Sequence, residues 1–171
     1  MNNNRSKVLV TGASGYIALH TISELLKTGY DVRGSLRNLS KEKDIRNSIH
    51  IPSSEERLEF CELNLLNDYG WEEALSGCDY IIHMASPFII EEPKNENDLI
   101  EPALGGTMRA LQAAKKSNIK KFVLTSSMAA IAYGHNKTKC NKNDWSDLTK
   151  DIGAYIKSKT LAEKAAWNFV K

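Results

Sequence analysis

KVLVTGASGYIALHTISEL, residues 7–25, is a short apolar run that breaks into glycines and then resumes with a different period. Val8, Leu9 and Val10 read as a buried strand, too short for anything else and ended by Thr11-Gly12. From Gly15 onward, small or apolar residues fall at Gly15, Ala18, Ile22, Leu25 and Leu26, the spacing of one buried helix face. A strand that enters a helix through Gly12-Ala13-Ser14-Gly15 leaves the unpaired N–H groups of the first helical turn facing that turn. Those donors, with the positive end of the helix dipole, form an anion site.

Each small residue in this turn has its own mechanical reason. Gly12 permits the tight bend, Gly15 lets the backbone approach a pyrophosphate with no Cβ in the way, and Ala18 keeps the helix close to the strand. The spacing differs from G-x-G-x-x-G, and Ala replaces the third Gly. Placed after an N-terminal strand and opening an amphipathic helix, the pattern predicts dinucleotide binding; a plain structural turn is the alternative.

The 171 residues predict one domain, large enough to bury on the order of 70% of its unfolded surface. A formal charge of +2 with 26% charged residues is close to balanced, which points away from nucleic acid and from an anionic membrane as partners. Cys61, Cys78 and Cys140 are an odd number with no close pair, so no metal site and no disulfide framework is suggested. The opening MNNNRSK lacks the apolar core of a signal peptide, and no apolar run approaches the ~20 residues of a membrane span. A cytoplasmic location is expected.

Further along, Thr28-Gly29-Tyr30 closes the first helix and Val32 to Leu36 makes a second strand. The end of that strand matters, because in a dinucleotide fold it lies beside the adenosine ribose. An acid there binds the 2′-hydroxyl of NAD, whereas a cation accommodates the 2′-phosphate of NADP. RGSLRNLSKEK offers Arg37 and no acid before Glu42, which favours NADP over a merely solvated arginine.

A polar helix is expected over Lys41 to His50, a loop at Ile51-Pro52-Ser53-Ser54, and a third strand at Leu58 to Cys61. A helix over Tyr69 to Leu75 precedes a fourth, nearly all-apolar strand, Tyr80 to Met84, as a parallel strand buried on both faces should be. Glu91 to Asp98 reads as a loop into a helix over Ile100 to Lys116 that presents Leu104, Met108, Leu111 and Ala114 on one face. Phe122-Val123-Leu124 is the fifth strand and runs into Thr125-Ser126-Ser127. This alternation predicts an α/β fold, a doubly wound parallel sheet of about five strands, with its ligand beyond the carboxyl ends of the strands.

Ala129 to Lys150 is a long polar connection, expected to be a functional loop or lid. AYIKSKTLAEKAAW comes next, with Tyr155 and Lys159 four apart, hence on one helix face and ~6 Å apart along the axis. A phenol is a poor acid at neutral pH, and an ammonium beside it favours the phenolate. By itself Y-x-x-x-K is common and reads as a helix-surface pair.

Taken together, the glycine turn, the serine pair ending the fifth strand, and the Tyr and Lys on the next helix resemble the short-chain dehydrogenase/reductase family. More narrowly, VLVTGASGYIA, VRGSLR, HMASPF, FVLTSSMAA and YIKSKTLAEKAAW resemble its extended branch, which includes the dihydroflavonol 4-reductases and cinnamoyl-CoA reductases. The resemblance implies a Rossmann-type fold and an NADP-dependent oxidoreductase that reduces a ketone or aldehyde to an alcohol. It makes Tyr155 the general acid, Lys159 the residue that holds the nicotinamide ribose and favours the tyrosinate, and Ser127 the hydrogen-bond donor to the substrate oxygen. It puts Gly12, Ser14, Gly15, Tyr16 and Ile17 at the pyrophosphate, Arg37 at the 2′-phosphate, Asn64 and Leu65 at the adenine, and Ala85 and Ser86 under the ribose. His83 is expected to be a packed histidine.

Asn64 stands where the family usually has Asp, and its amide oxygen is expected to accept the same hydrogen bond from the adenine amine. Gly105 stands where an Asn often precedes Gly-Thr. Family members continue past the Tyr/Lys helix into a substrate-binding portion, so residues 1–171 are expected to be the NAD(P)-binding domain alone. Without that portion, the fifth strand would be a sheet edge open to self-association. Two other functions fit the same motifs: a dinucleotide-binding protein without turnover, and a nucleotide-sugar epimerase or dehydratase.

Overall fold

The computed structural model describes residues 5–49, 51, 56–89 and 91–171. Five strands and five helices alternate: β1 (Lys7–Val10), α1 (Tyr16–Lys27), β2 (Asp31–Leu36), α2 (Glu42–Ser48), β3 (Leu58–Glu62), α3 (Trp71–Leu75), β4 (Tyr80–His83), α4 (Asn97–Lys116), β5 (Lys121–Leu124) and α5 (Ala154–Val170). The strands form one parallel sheet in the order β3-β2-β1-β4-β5, as expected of a Rossmann-type sheet. Chain direction away from β1 reverses between β2 and β4, so the crevice at the carboxyl end of β1 is the switch point of the sheet.

Alternation along β1 divides the core. Val8 and Val10 pack with Ala18, Ile22 and Leu26 of α1 and Ile45 of α2, whereas Leu9 packs on the other face with Trp71 and Leu75 of α3 and Ala110 of α4. Leu9, Val10, Ile22 and Ile81 are fully enclosed, each worth about 1.5–3 kcal/mol relative to an exposed side chain. α5 packs against α4 on the second face. No helix among the described residues is long and apolar enough to cross a membrane.

Several expected boundaries move. A 3-10 turn at Leu39–Lys41, capped by the Asn38 side chain on Ser40 N, precedes α2, which is shorter than the expected Lys41 to His50 helix. His50 and the Pro52-Ser53-Ser54 part of the expected loop lie outside the described residues. α3 starts at Trp71 because Asn67 to Gly70 is held as a turn, with Asn67 N on Asn64 O and the Trp71 indole on Asn67 O. α4 starts at Asn97, taking in Asp98 and carrying Pro102 in its second turn.

The buried face of α4 holds half of the expected set and adds small residues to it. Leu111 and Ala114 are buried as expected, together with Leu99, Ala103, Gly106, Thr107, Ala110 and Ala113, while Leu104 and Met108 are only half-buried. Small residues line the close approach: a Cβ at Gly106 would meet Leu65 at 2.6 Å. A helix pressed this near its neighbours buries its small side chains and pushes the bulky ones to the margin.

Ala129 to Lys150 is irregular after a 3-10 turn at Met128–Ala130, but it is tied down. The Ser146 hydroxyl donates to Ala129 O and accepts from Tyr133 N, and Ser146 N and Asp147 N bond to Ala130 O and Tyr133 O. The Lys164 ammonium of α5 lies 5.2 Å from the Trp145 ring.

Candidate active site

At the end of β1 the chain turns in a bend that only glycine suits. Gly12 sits at φ 72°, and a Cβ there would lie 3.0 Å from Ala85 Cα and 3.1 Å from Ala85 Cβ. Gly12 N bonds to Ser35 Oγ at 3.2 Å and Ala13 N to Ser35 O at 2.9 Å, so the turn rests on β2. Gly34 makes room for it: a Cβ at that position would meet Ala13 at 2.8 Å and the Phe60 ring at 2.9 Å. Gly15 opens α1 with no side-chain cap, leaving the N–H groups of the first turn to a ligand.

A second device joins this turn to β4. Thr11 Oγ1 accepts from Met84 N and Ala85 N, both at 3.0 Å, so its own proton goes to His83 Nδ1, also at 3.0 Å. The imidazole is therefore the tautomer with its proton on Nε2, which has no partner among the described residues. The ring lies between Trp71 and Phe122, at centroid distances of 6.0 and 6.1 Å. Burial, with the Lys159 charge adding to it, lowers the His83 pKa to about 3.

That shift has a sign. Below the ordinary pKa of 6.5 the unfolded chain takes up a proton that the folded chain refuses, so stability falls with pH by ~1.4 kcal/mol per unit until about pH 3. Thermal melts should show the loss beginning near pH 6.5. His83→Asn, which can still accept from Thr11, should lower stability at pH 7 but flatten this acid slope. Parallel slopes for the two proteins would show that His83 is not its source.

These elements enclose a cavity of about 560 Å³ at the carboxyl edge of the sheet. Gly12, Ser14 and Gly15 line it after β1, Arg37 after β2, Asn64 and Leu65 after β3, and Ala85 and Ser86 after β4. The Ser86 hydroxyl is buried and without a partner among the described residues. Tyr16 and Ile17 are 78% and 63% exposed and do not line the cavity. Arg37 is exposed at its mouth.

Asn64 is already engaged within its own turn. Its Oδ1 accepts from Leu66 N at 3.0 Å, which fixes the amide orientation, so the other end of the side chain is the Nδ2 donor. One lone pair of Oδ1 is thus taken within the turn, and the second stays open to another donor.

Tyr155, Lys159 and Ser127 do not line the cavity, and Tyr155 touches its wall. Phe88, which does line it, meets the Tyr155 ring edge-on at 5.2 Å and 84°. One turn on, Lys159 is 8% exposed, and its Nζ donates to Thr125 O at 2.9 Å. Burial lowers its pKa, while the Glu163 carboxylate opposes the change. The two serines differ in their engagements: the Ser126 hydroxyl donates to Glu163 Oε2, while Ser127 Oγ accepts from Ala129 N at 3.1 Å, leaving its proton to donate.

Two contributors were not singled out from the sequence. Gly34 carries a readable sign, since an isolated glycine inside a strand marks a close backbone approach. Thr11 carries none, because its pairing with His83 spans 72 positions.

The NAD dependent epimerase/dehydratase family matches residues 8–171. This chain belongs to that family. It is 35% identical to dihydroflavonol 4-reductase of Arabidopsis thaliana over 179 residues, covering 100% of this chain and 47% of that protein. It is 39% identical to cinnamoyl-CoA reductase CAD2 of Medicago truncatula over 178 residues, covering 99% and 55%. Among solved structures, yeast methylglyoxal/isovaleraldehyde reductase Gre2 complexed with NADPH superposes with a TM-score of 0.82 at 30% identity, covering 96% of this chain and 52% of that one. Vestitone reductase from alfalfa gives 0.80 at 32% identity, covering 96% and 52%. The chain thus spans about half the length of the relatives it matches.

Proposed function

We propose that residues 1–171 are the NADPH-binding domain of a carbonyl reductase related to the dihydroflavonol 4-reductases and cinnamoyl-CoA reductases. The observation that carries this reading is the convergence of the glycine turn, Arg37 and the unpartnered Ser86 hydroxyl on one cavity at the switch point of the sheet. The residues fit a dinucleotide: a turn whose cradle a Cβ would fill, uncapped helical N–H groups for a pyrophosphate, and a cation where a 2′-phosphate would lie. The resemblance of the fold to NADPH-bound Gre2 supports the same choice.

When bound, NADPH supplies the hydride to the carbonyl carbon. Tyr155 gives its proton to the carbonyl oxygen as negative charge develops there. Ser127, whose proton is free to donate, holds that oxygen. Among the described residues Lys159 has Thr125 O as its acceptor, and its remaining hydrogens would hold the ribose hydroxyls. Three free thiols accord with a cytoplasmic location.

Arg37→Ala tests the cofactor assignment. A charge-assisted bond to phosphate exists only with NADPH, so the substitution should weaken NADPH binding about 10- to 100-fold and change NADH binding less than about twofold. Titration of cofactor fluorescence measures both. Equal losses would show that Arg37 does not contact the phosphate.

A further inference from the structure

Helix α5 begins without a cap of its own. Gly153 precedes it at φ 80° and ψ 152°, a conformation essentially confined to glycine, and it has no side chain to accept a hydrogen bond. The acceptor comes from the segment after β4: Glu92 Oε1 takes Ala154 N at 2.6 Å. A Cβ on Gly153 would lie 3.3 Å from Glu92 Oε2 and 3.7 Å from Oε1, so both carboxylate oxygens sit at the start of the helix. Glu96 pairs with Lys157 one turn further along. A negative charge at this end also complements the helix dipole.

The placement of Glu92 in the chain gives this cap a consequence. Ala85 to Ile89, which precede it, form one wall of the cavity, and Phe88 in that wall touches the Tyr155 ring. Tyr155 is the residue directly after the capped Ala154 N–H. We propose that Glu92 is a positioning residue: it joins the cavity wall to the first turn of α5, so that a dinucleotide seated against that wall orders Tyr155. Gly153 belongs to the same joint, since any side chain there strains the backbone and presses on the carboxylate. The proposal rests on the reading of the cavity as an NADPH site and of Tyr155 as the proton donor.

Amide hydrogen exchange, with and without NADPH, tests it. In the unliganded chain, Glu92→Ala should speed exchange of the α5 first-turn amides, residues 154–157, about tenfold and leave β1 and β4 unchanged. Glu92→Gln, which keeps an acceptor but not the charge, should restore most of the protection; Gly153→Ala should reproduce the defect. NADPH should protect these amides in the wild type and fail to protect them in Glu92→Ala, although its affinity changes less than about threefold. In the longest form of the protein that reduces a carbonyl, Glu92→Ala should lower kcat about tenfold with KM for NADPH unchanged. Unchanged exchange in unliganded Glu92→Ala, no restoration by Gln, or equal NADPH protection in the wild type and Glu92→Ala would overturn the proposal. If Glu92→Ala also loses protection in β1 and β4, Glu92→Gln decides: exchange at residues 154–157 near the wild type supports the cap, and exchange as fast as in Glu92→Ala with β1 and β4 protected would overturn it. A wild type that does not bind NADPH would instead overturn the proposed function, and the unliganded exchange would still decide the cap.

Discussion

Tyr155→Phe should lower kcat for carbonyl reduction about a thousandfold while changing NADPH affinity less than about twofold. The substitution removes one oxygen and keeps the ring. The ring's neighbours are those of a packing residue: Phe88 meets it edge-on at 5.2 Å, and the side chain is half-buried at the start of α5. Phenylalanine keeps that contact and the helix, so the cavity wall formed by Ala85 to Ile89 should hold its place. What is lost is a proton donor, and Ser127 cannot replace it, since a serine hydroxyl can hold a carbonyl oxygen but is too weak an acid to protonate it. Steady-state kinetics on the longest form of the protein that turns over a carbonyl, with NADPH titrated separately, provide the check. A variant keeping more than a tenth of wild-type kcat would remove Tyr155 from the chemistry.

How much of this site was legible in the sequence depended on how far apart the cooperating residues lie. Period and punctuation are local, so the strand before Thr11, the helix after Gly15 and the shared face of Tyr155 and Lys159 were all readable within a few positions. Strand ends were readable too, and in a parallel sheet every such end opens on one edge, which is why Gly12, Arg37 and Ser86 meet in one cavity. What escaped were pairings between distant segments. The bond of Thr11 to His83 and that of Glu92 to Ala154 join segments 72 and 62 positions apart, and no local pattern announces either. The part of the buried face of α4 beyond Leu111 and Ala114 escaped for a related reason. Amphipathicity places bulky apolar groups inward, but close packing put Ala103, Gly106 and Ala110 there and left Leu104 and Met108 at the margin. At Asn64 the residue type was readable and its commitment was not, because the Leu66 N–H takes one lone pair of the amide oxygen.

Replacing Lys159 with Met should separate activity from stability. Lysine and methionine are both unbranched, so the apolar stem is largely retained and only the charged end is lost. The residue is 8% exposed, and its ammonium donates to Thr125 O at 2.9 Å. Its burial is costly, which is the cause of the lowered pKa, and the Glu163 carboxylate only partly offsets it. Removing the ammonium relieves that cost but leaves Thr125 O unpaired, worth about 1–3 kcal/mol in the opposite direction. The two effects oppose each other, so Tm at pH 7 should move by no more than a few degrees. On the proposed reading, turnover should fall at least a hundredfold, and NADPH affinity about tenfold, because the ribose would lose a donor. The pH dependence supplies a second reading. Between its lowered folded-state pKa and the ordinary 10.5, the unfolded chain binds more protons at Lys159 than the folded chain, so stability rises with pH across that window. Melts at pH 8 and pH 10 should therefore show the wild type gaining on Lys159→Met. A variant that retains a tenth of wild-type turnover would exclude Lys159 from the site, and one whose melting tracks the wild type at both pH values would show that its ammonium is not held at a cost.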